Sequence, residues 1–158
     1  RKRRRPLGRR RFRVPQTVGL LLRRREPVAA GRVEVHLPVP EETSRIAHAA
    51  FPQGHPYLRL REEFAALFQD EQFAALFPRG GQSAEAPWRL AVVTLLQYAE
   101  DLSDRQAADA VRGRIEWKYL LGLPLTDPGF DESVLCEFRA RLLAGGAERL
   151  LFEALLVR

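Results

Sequence analysis

The sequence predicts an all-α fold: a compact multi-helical bundle with a helix-turn-helix-like segment, preceded by a disordered basic tail. Three observations predict it. From Glu41 onward, apolar residues recur at steps of three and four, the spacing of one helix face. The longest apolar run, Pro87 to Leu102, covers too much of a helix surface to lie against a single neighbour. Strand-like alternation is confined to Val33–Val39, where Pro38 and Pro40 limit it to an extended lead-in. With 158 residues, of which 46% are apolar, the chain can bury a core.

The charge is unevenly placed. Residues 1–32 hold 13 basic residues and one acid, Glu26, for a balance of +12. Residues 33–158 hold 13 basic residues and 19 acids, for a balance of −6. These sum to the overall +6. The division is therefore residues 1–38 as an Arg-rich disordered or spurious extension and residues 39–158 as the helical domain. Residues 1–32 cannot bury enough surface to fold alone. By composition they read as a nucleic-acid arm or a targeting-like sequence, or as translation of GC-rich sequence upstream of the true start. Val18–Leu22 is too short an apolar core for a secretory signal, and no run is long enough to span a membrane. The single cysteine, Cys136, excludes an internal disulfide and fits a reducing, cytoplasmic location. Its apolar neighbours Leu135 and Phe138 predict a small buried side chain.

In chain order, Glu41–Phe51 predicts a short helix with Ile46, Ala47 and Ala50 inward, ended by Pro52. Pro56–Phe68 predicts a second, with Leu60, Phe64, Leu67 and Phe68 inward. Asp70 is placed to cap a third, Glu71–Phe77. Pro78–Pro87, with Gly80-Gly81, predicts a surface loop. Pro87 suits the first position of the central helix, where its missing N–H costs nothing. On that helix Trp88, Ala91, Val92, Leu95, Ala99 and Leu102 form one face, while Leu90, Val93, Leu96 and Tyr98 cover much of the rest. Ser103-Asp104-Arg105-Gln106 has the form of a capping box and restarts a helix whose Ala107, Ala108 and Val111 permit close packing. Gly113 ends it, and Ile115–Leu121 predicts a further short helix before Gly122. Helix, tight turn and short helices are the grammar of helix-turn-helix folds, although many small bundles share it. Thr126-Asp127-Pro128-Gly129 predicts a turn. Asp131 then caps a helix to Leu143 with Val134, Leu135, Phe138 and Leu142 inward, and Gly145-Gly146 ends it. Ala147–Val157 predicts a last amphipathic helix, after which the chain reads as cut inside an element or just before a further domain.

Three runs together resemble a known family. They are Leu95-Leu96-Gln97-Tyr98-Ala99-Glu100-Asp101-Leu102-Ser103-Asp104-Arg105-Gln106-Ala107, Trp117-Lys118-Tyr119-Leu120-Leu121-Gly122-Leu123 and Asp131-Glu132-Ser133-Val134-Leu135-Cys136-Glu137-Phe138-Arg139. In order and spacing they resemble the N-terminal helical domain of bacterial insertion-sequence transposases of the InsH type, within the DDE superfamily. Ala86-Pro87-Trp88-Arg89 and Asp127-Pro128-Gly129-Phe130-Asp131 resemble the actinobacterial branch of that group. The resemblance spans roughly Val39 to Arg158 and implies truncation before the RNase H-like catalytic domain. That missing domain would use a divalent metal, Mg; no cofactor is expected in this chain.

Catalytic chemistry is not expected here. His36, His48 and His55 show no metal-ligand spacing with Cys136. No phosphate-binding glycine loop and no Ser/His/Asp order is present. Asp101, Asp104, Asp109, Asp127 and Asp131 each suit a cap, a turn or a helix surface. No residue is assigned as catalytic or metal-binding.

Two functions from different classes remain. In one, the domain binds DNA at the terminal inverted repeats of the element, with Arg105, Gln106, Arg112, Arg114 and Lys118 as candidate contacts. Arg105 and Arg112 are seven apart and share a helix face, but Asp109 stands between them at ion-pair spacing. In the other, the domain serves protein association, by self-association or by docking onto the catalytic domain. The acidic balance of residues 33–158 favours this one. An inactive remnant of a transposase gene is a further alternative. No membrane partner is expected.

Overall fold

The computed structural model describes residues 38–67 and 86–149, with no side-chain detail for residues 62–67. Six helices form among the described residues, and no strand does. They are α1 (Glu41–Ala50), α2 (Pro56–Leu67), α3 (Pro87–Glu100), α4 (Asp104–Gly113), α5 (Ile115–Leu121) and α6 (Ser133–Ala144). The fold is all-α, as expected. The expected helix Glu71–Phe77 with its Asp70 cap, the lead-in Val33–Leu37, the basic tail and most of the last helix lie outside the described residues.

α3 is buried along most of its length. Trp88, Leu90, Ala91, Val92, Val93 and Leu96 are all buried. Of the face the spacing favours, Trp88, Ala91 and Val92 lie in the core, but its C-terminal half does not. Leu95, Ala99 and Leu102 only flank the core, while Leu90, Val93 and Leu96 lie inside it. Tyr98 is 83% exposed. On a helix this apolar, periodicity does not discriminate between faces; the neighbours do.

The short α5 shares the centre. It packs against α1, α2 and α4, while α3 packs against α4 and α6. Trp117 and Leu120 are fully buried and Leu121 is nearly so. α4 approaches closely through Ala107, Ala108, Ala110 and Val111, all buried. α6 contributes Leu135, Phe138 and Leu142, as its spacing predicts. α1 contributes Ala47 and, unexpectedly, Thr43, whose Oγ1 donates to the Leu123 carbonyl at 2.9 Å. Ile46 is half-buried and Ala50 exposed, so the inward face of α1 is narrower than its apolar pattern.

Local signals set the joints. α3 ends at Asp101, which holds the left-handed conformation (φ 54°) and lets the Leu102 N–H reach the Gln97 carbonyl at 2.9 Å. An aspartate tolerates that conformation better than most side chains. The capping box then forms as expected: Ser103 Oγ accepts from the Gln106 N–H at 3.4 Å, and Gln106 Oε1 accepts from the Ser103 N–H at 2.9 Å. Gly122 closes α5 at φ 64°, and a Cβ there would lie 2.8 Å from Arg61 Nη2. The left-handed backbone favours glycine, and any larger residue would also have to displace the end of Arg61. Asp131 does not cap α6 as its first residue; its Oδ1 accepts from the Ser133 N–H at 2.9 Å and the helix starts at Ser133. Cys136 is exposed, against the expectation of a buried thiol. Leu135 and Phe138 face the core, and the two residues between them, Cys136 and Glu137, face out.

The burial order of α3 can be tested. Leu96→Ala should cost about 2–5 kcal/mol, and Leu95→Ala clearly less, about 1 kcal/mol. Urea unfolding of both variants measures this; equal losses would contradict the placement of the two faces.

Candidate functional site

The five candidate contacts occupy two environments. Arg105, Gln106 and Arg112 lie on the exposed side of α4, opposite its alanine face. Arg114, between α4 and α5, and Lys118, inside α5, are drawn into the domain.

Arg114 is the hub of an internal network. Its Nη1 donates to Glu100 Oε2 at 2.6 Å and its Nε to Glu116 Oε1 at 2.7 Å. Its guanidinium also lies over the Trp117 ring, 5.2 Å from the centroid. Glu100 Oε1 in turn accepts from the Tyr57 hydroxyl and from Trp117 Nε1, the latter at 3.3 Å. Burial opposes the charge on Arg114, but hydrogen bonds to Glu100 and Glu116 outweigh it and hold the group charged. Burial, and then the bond to Glu100, push the Tyr57 phenol well above its ordinary range, so it stays a proton donor. One residue thereby ties α2, α3 and α5 together.

Lys118 is 3% exposed. Its Nζ donates to the Asp127 carbonyl at 2.7 Å and the Pro124 carbonyl at 3.5 Å, pinning the loop that follows α5. Burial lowers its pKa, opposed by attraction to Asp127. Five of the seven residues of α5 are buried. Ile115 and Tyr119, the other two, are half-buried.

On α4, Arg112 Nη1 meets Asp109 Oδ1 at 2.7 Å, and its Nε donates to the Pro128 carbonyl at 3.1 Å. At Gly129 (φ 69°) an added Cβ would lie 3.6 Å from the Arg112 backbone nitrogen and Cβ. Arg105 Nη2 reaches Glu132 Oε1 at 3.5 Å. Gln106 commits its amide oxygen to the cap. The expected charge-laced surface thus forms for Arg112, while Arg105 turns to α6 instead of Asp109. Beside it, Arg139 grips Asp104 through Nη1 and Nη2 at 2.9 and 2.7 Å, and Gln97 Nε2 donates to the same carboxylate at 2.6 Å. The bond from Arg139 is the chief reason the Asp104 carboxyl is held below its usual range. Asp127 and Asp131 accept from the Gly129 and Ser133 N–H groups in turns, while Asp104 and Asp109 form ion pairs. Among the described residues, no group of three metal-ligating side chains converges.

A further arginine pair was not legible in the sequence. Arg61 donates to the Leu120 carbonyl at 2.5 Å, and Arg89 Nε to the Leu121 carbonyl at 2.9 Å. Both guanidinium groups lie over Trp88, at 5.6 and 5.5 Å from its ring. They complement the negative end of α5.

A family model, Transposase domain (DUF772), matches residues 45–141, more than half of the chain. The chain belongs to this transposase domain family. No curated protein and no solved structure matches it. The match runs from α1 into α6 and so includes the Arg114 network, the outer face of α4 and the loop under Lys118. No helix of the described transposase domain is long and apolar enough to cross a membrane.

The network gives two expected outcomes. Arg114→Ala leaves the little-exposed Glu100 and Glu116 without their cation and should cost about 3–5 kcal/mol; urea unfolding checks this, and a loss under about 0.5 kcal/mol would contradict it. His55 supplies a pH dependence. Its Nδ1 accepts from the Tyr57 N–H at 3.2 Å, and its ring stacks near Phe51 and Tyr57, at 4.6 and 5.2 Å between centroids. Burial lowers its pKa from 6.5, opposed by Glu116. The unfolded chain therefore binds the extra proton more readily: this stability is complete above pH 6.5 and drains as pH falls below it. Thermal melts from pH 7.5 to 5.5 should show a falling Tm, and His55→Gln should flatten that fall.

Proposed function

We propose that this transposase domain contributes to DNA transposition by binding the transposon ends, through the outer face of α4 with Arg105, Gln106 and Arg112. The observation that supports this is the construction of α4. One face is sealed by Ala107, Ala108, Ala110 and Val111, while the opposite face carries two arginines two turns apart in solvent. Guanidinium groups are the usual partners of phosphates and of guanine edges. Arg114 and Lys118, whose charges are engaged inside the fold, then act indirectly by fixing α4 against α5 and the following loop. In this reading the chain is the non-catalytic N-terminal part of an InsH-type DDE transposase, and a separate domain supplies the magnesium chemistry. The basic residues 1–32 add sequence-blind attraction to the duplex.

A second reading, protein association, is favoured by charge. The described residues hold 14 acids against 11 basic residues, a balance of −3, which does not make a general polyanion surface. Tyr98 and Leu143 are large and exposed, at 83% and 69%.

A salt titration separates these. The full chain should bind any duplex with a steep fall in affinity as salt rises. A chain starting at Val39 should bind weakly, with a preference for a duplex carrying the element's inverted repeats over a shuffled one. Neither should nick DNA with magnesium or manganese. Loss of all end preference in the shorter chain, with a dimer by sedimentation, would favour association; nicking abolished by changing one acid of this chain would overturn the non-catalytic assignment.

A further inference from the structure

We infer that Asp109 and Glu132 set sequence selectivity by shielding the two α4 arginines from non-specific DNA; this rests on the end-binding reading above. Each exposed arginine has its own carboxylate: Asp109 at 2.7 Å from Arg112, and Glu132 at 3.5 Å from Arg105. Both pairs are in solvent, with side-chain exposures of 52% and 62% for Arg112–Asp109 and 78% and 44% for Arg105–Glu132. Pairs this exposed are weak and exchangeable, so they contribute little to folding. Asp131 also feels the Arg112 charge, which helps lower its carboxyl after the larger effect of its bonds to Ser133. Each outward arginine is therefore matched by one carboxylate, and the patch is close to neutral toward a phosphate backbone.

A random duplex offers mainly phosphate attraction, and that attraction is cancelled here. A matching site adds directional hydrogen bonds to base edges, which compete for a guanidinium where diffuse attraction does not. Arg112 is also aimed: its Nε bond to the Pro128 carbonyl leaves Nη1 and Nη2 as the groups that can exchange partners. The acids thus act against the wrong partner, a repulsive element in the service of specificity.

The test uses the full chain in four forms, unchanged, Asp109→Asn with Glu132→Gln, Arg105→Ala with Arg112→Ala, and a control variant, together with a control condition. One control is Glu137→Gln, which removes an exposed acid that α6 pairs with Arg141 at 3.7 Å, away from the α4 arginines. The other is unchanged protein at raised salt. Affinities are measured for the inverted-repeat duplex and a shuffled duplex of equal length, with circular dichroism melts to verify folding. Removing both shielding acids should raise affinity for the shuffled duplex about tenfold at low salt and steepen its salt dependence. Affinity for the repeat duplex should rise less, so the ratio between them falls; Glu137→Gln should leave the ratio unchanged. An unchanged ratio in the double acid variant, while the double arginine variant loses end preference, would overturn the shielding and leave the end-binding reading standing. No loss of end preference in the double arginine variant would overturn both.

Discussion

Arg114 sits where three helices and a connector must agree. It is the one residue between α4 and α5, so its backbone sets the angle at which one helix turns into the next. Its side chain bonds Glu100, the last residue of α3, and Glu116 in the first turn of α5. Glu100 passes the connection to Tyr57 of α2. A guanidinium with two carboxylates and an aromatic face can be accommodated in a part-buried site because each partner offsets the loss of water around the others. Apolar packing would tolerate small slides among these helices. The directional bonds do not, and so they select one arrangement.

The same economy governs the other cations. Lys118 holds the loop after α5, Arg61 and Arg89 cap the carbonyl end of α5 over Trp88, and Arg139 clamps Asp104 at the start of α4. Most of the positive charge near the core is therefore structural. What remains outward on α4 is two arginines with acids beside them. A surface so arranged suits recognition of a shaped partner better than diffuse attachment, while the basic balance of residues 1–32 is a separate matter of sequence.

α5 shows why a motif's spacing does not settle its use. Its place after a tight connector matches helix-turn-helix order, yet Trp117, Lys118, Leu120 and Leu121 are buried against α1, α2 and α4. The exposed helix is the preceding one, whose inner face of alanines lets it lie close and whose outer side carries Arg105, Asp109 and Arg112. Membership of the transposase domain family agrees, at that level, with the resemblance that Leu95–Ala107, Trp117–Leu123 and Asp131–Arg139 carry.

The sequence by itself determined the helices and their joints, because these depend on neighbours within one or two turns. Ser103 with Gln106, Gly113, Gly122 and Gly145-Gly146 act locally, and each stands where its chemistry predicts. It also determined the family and the inward positions of α6. Tertiary structure decided which face of the apolar α3 is deepest, that Cys136 is exposed, and that Arg114 and Lys118 are internal whereas Arg105 and Arg112 are not. Charge identity alone does not report burial, since a cation enters a core when acceptors from other segments meet it there. Glu100 lies 14 residues from Arg114, and Tyr57 lies 43 residues from Glu100, so only the folded chain brings those partners together.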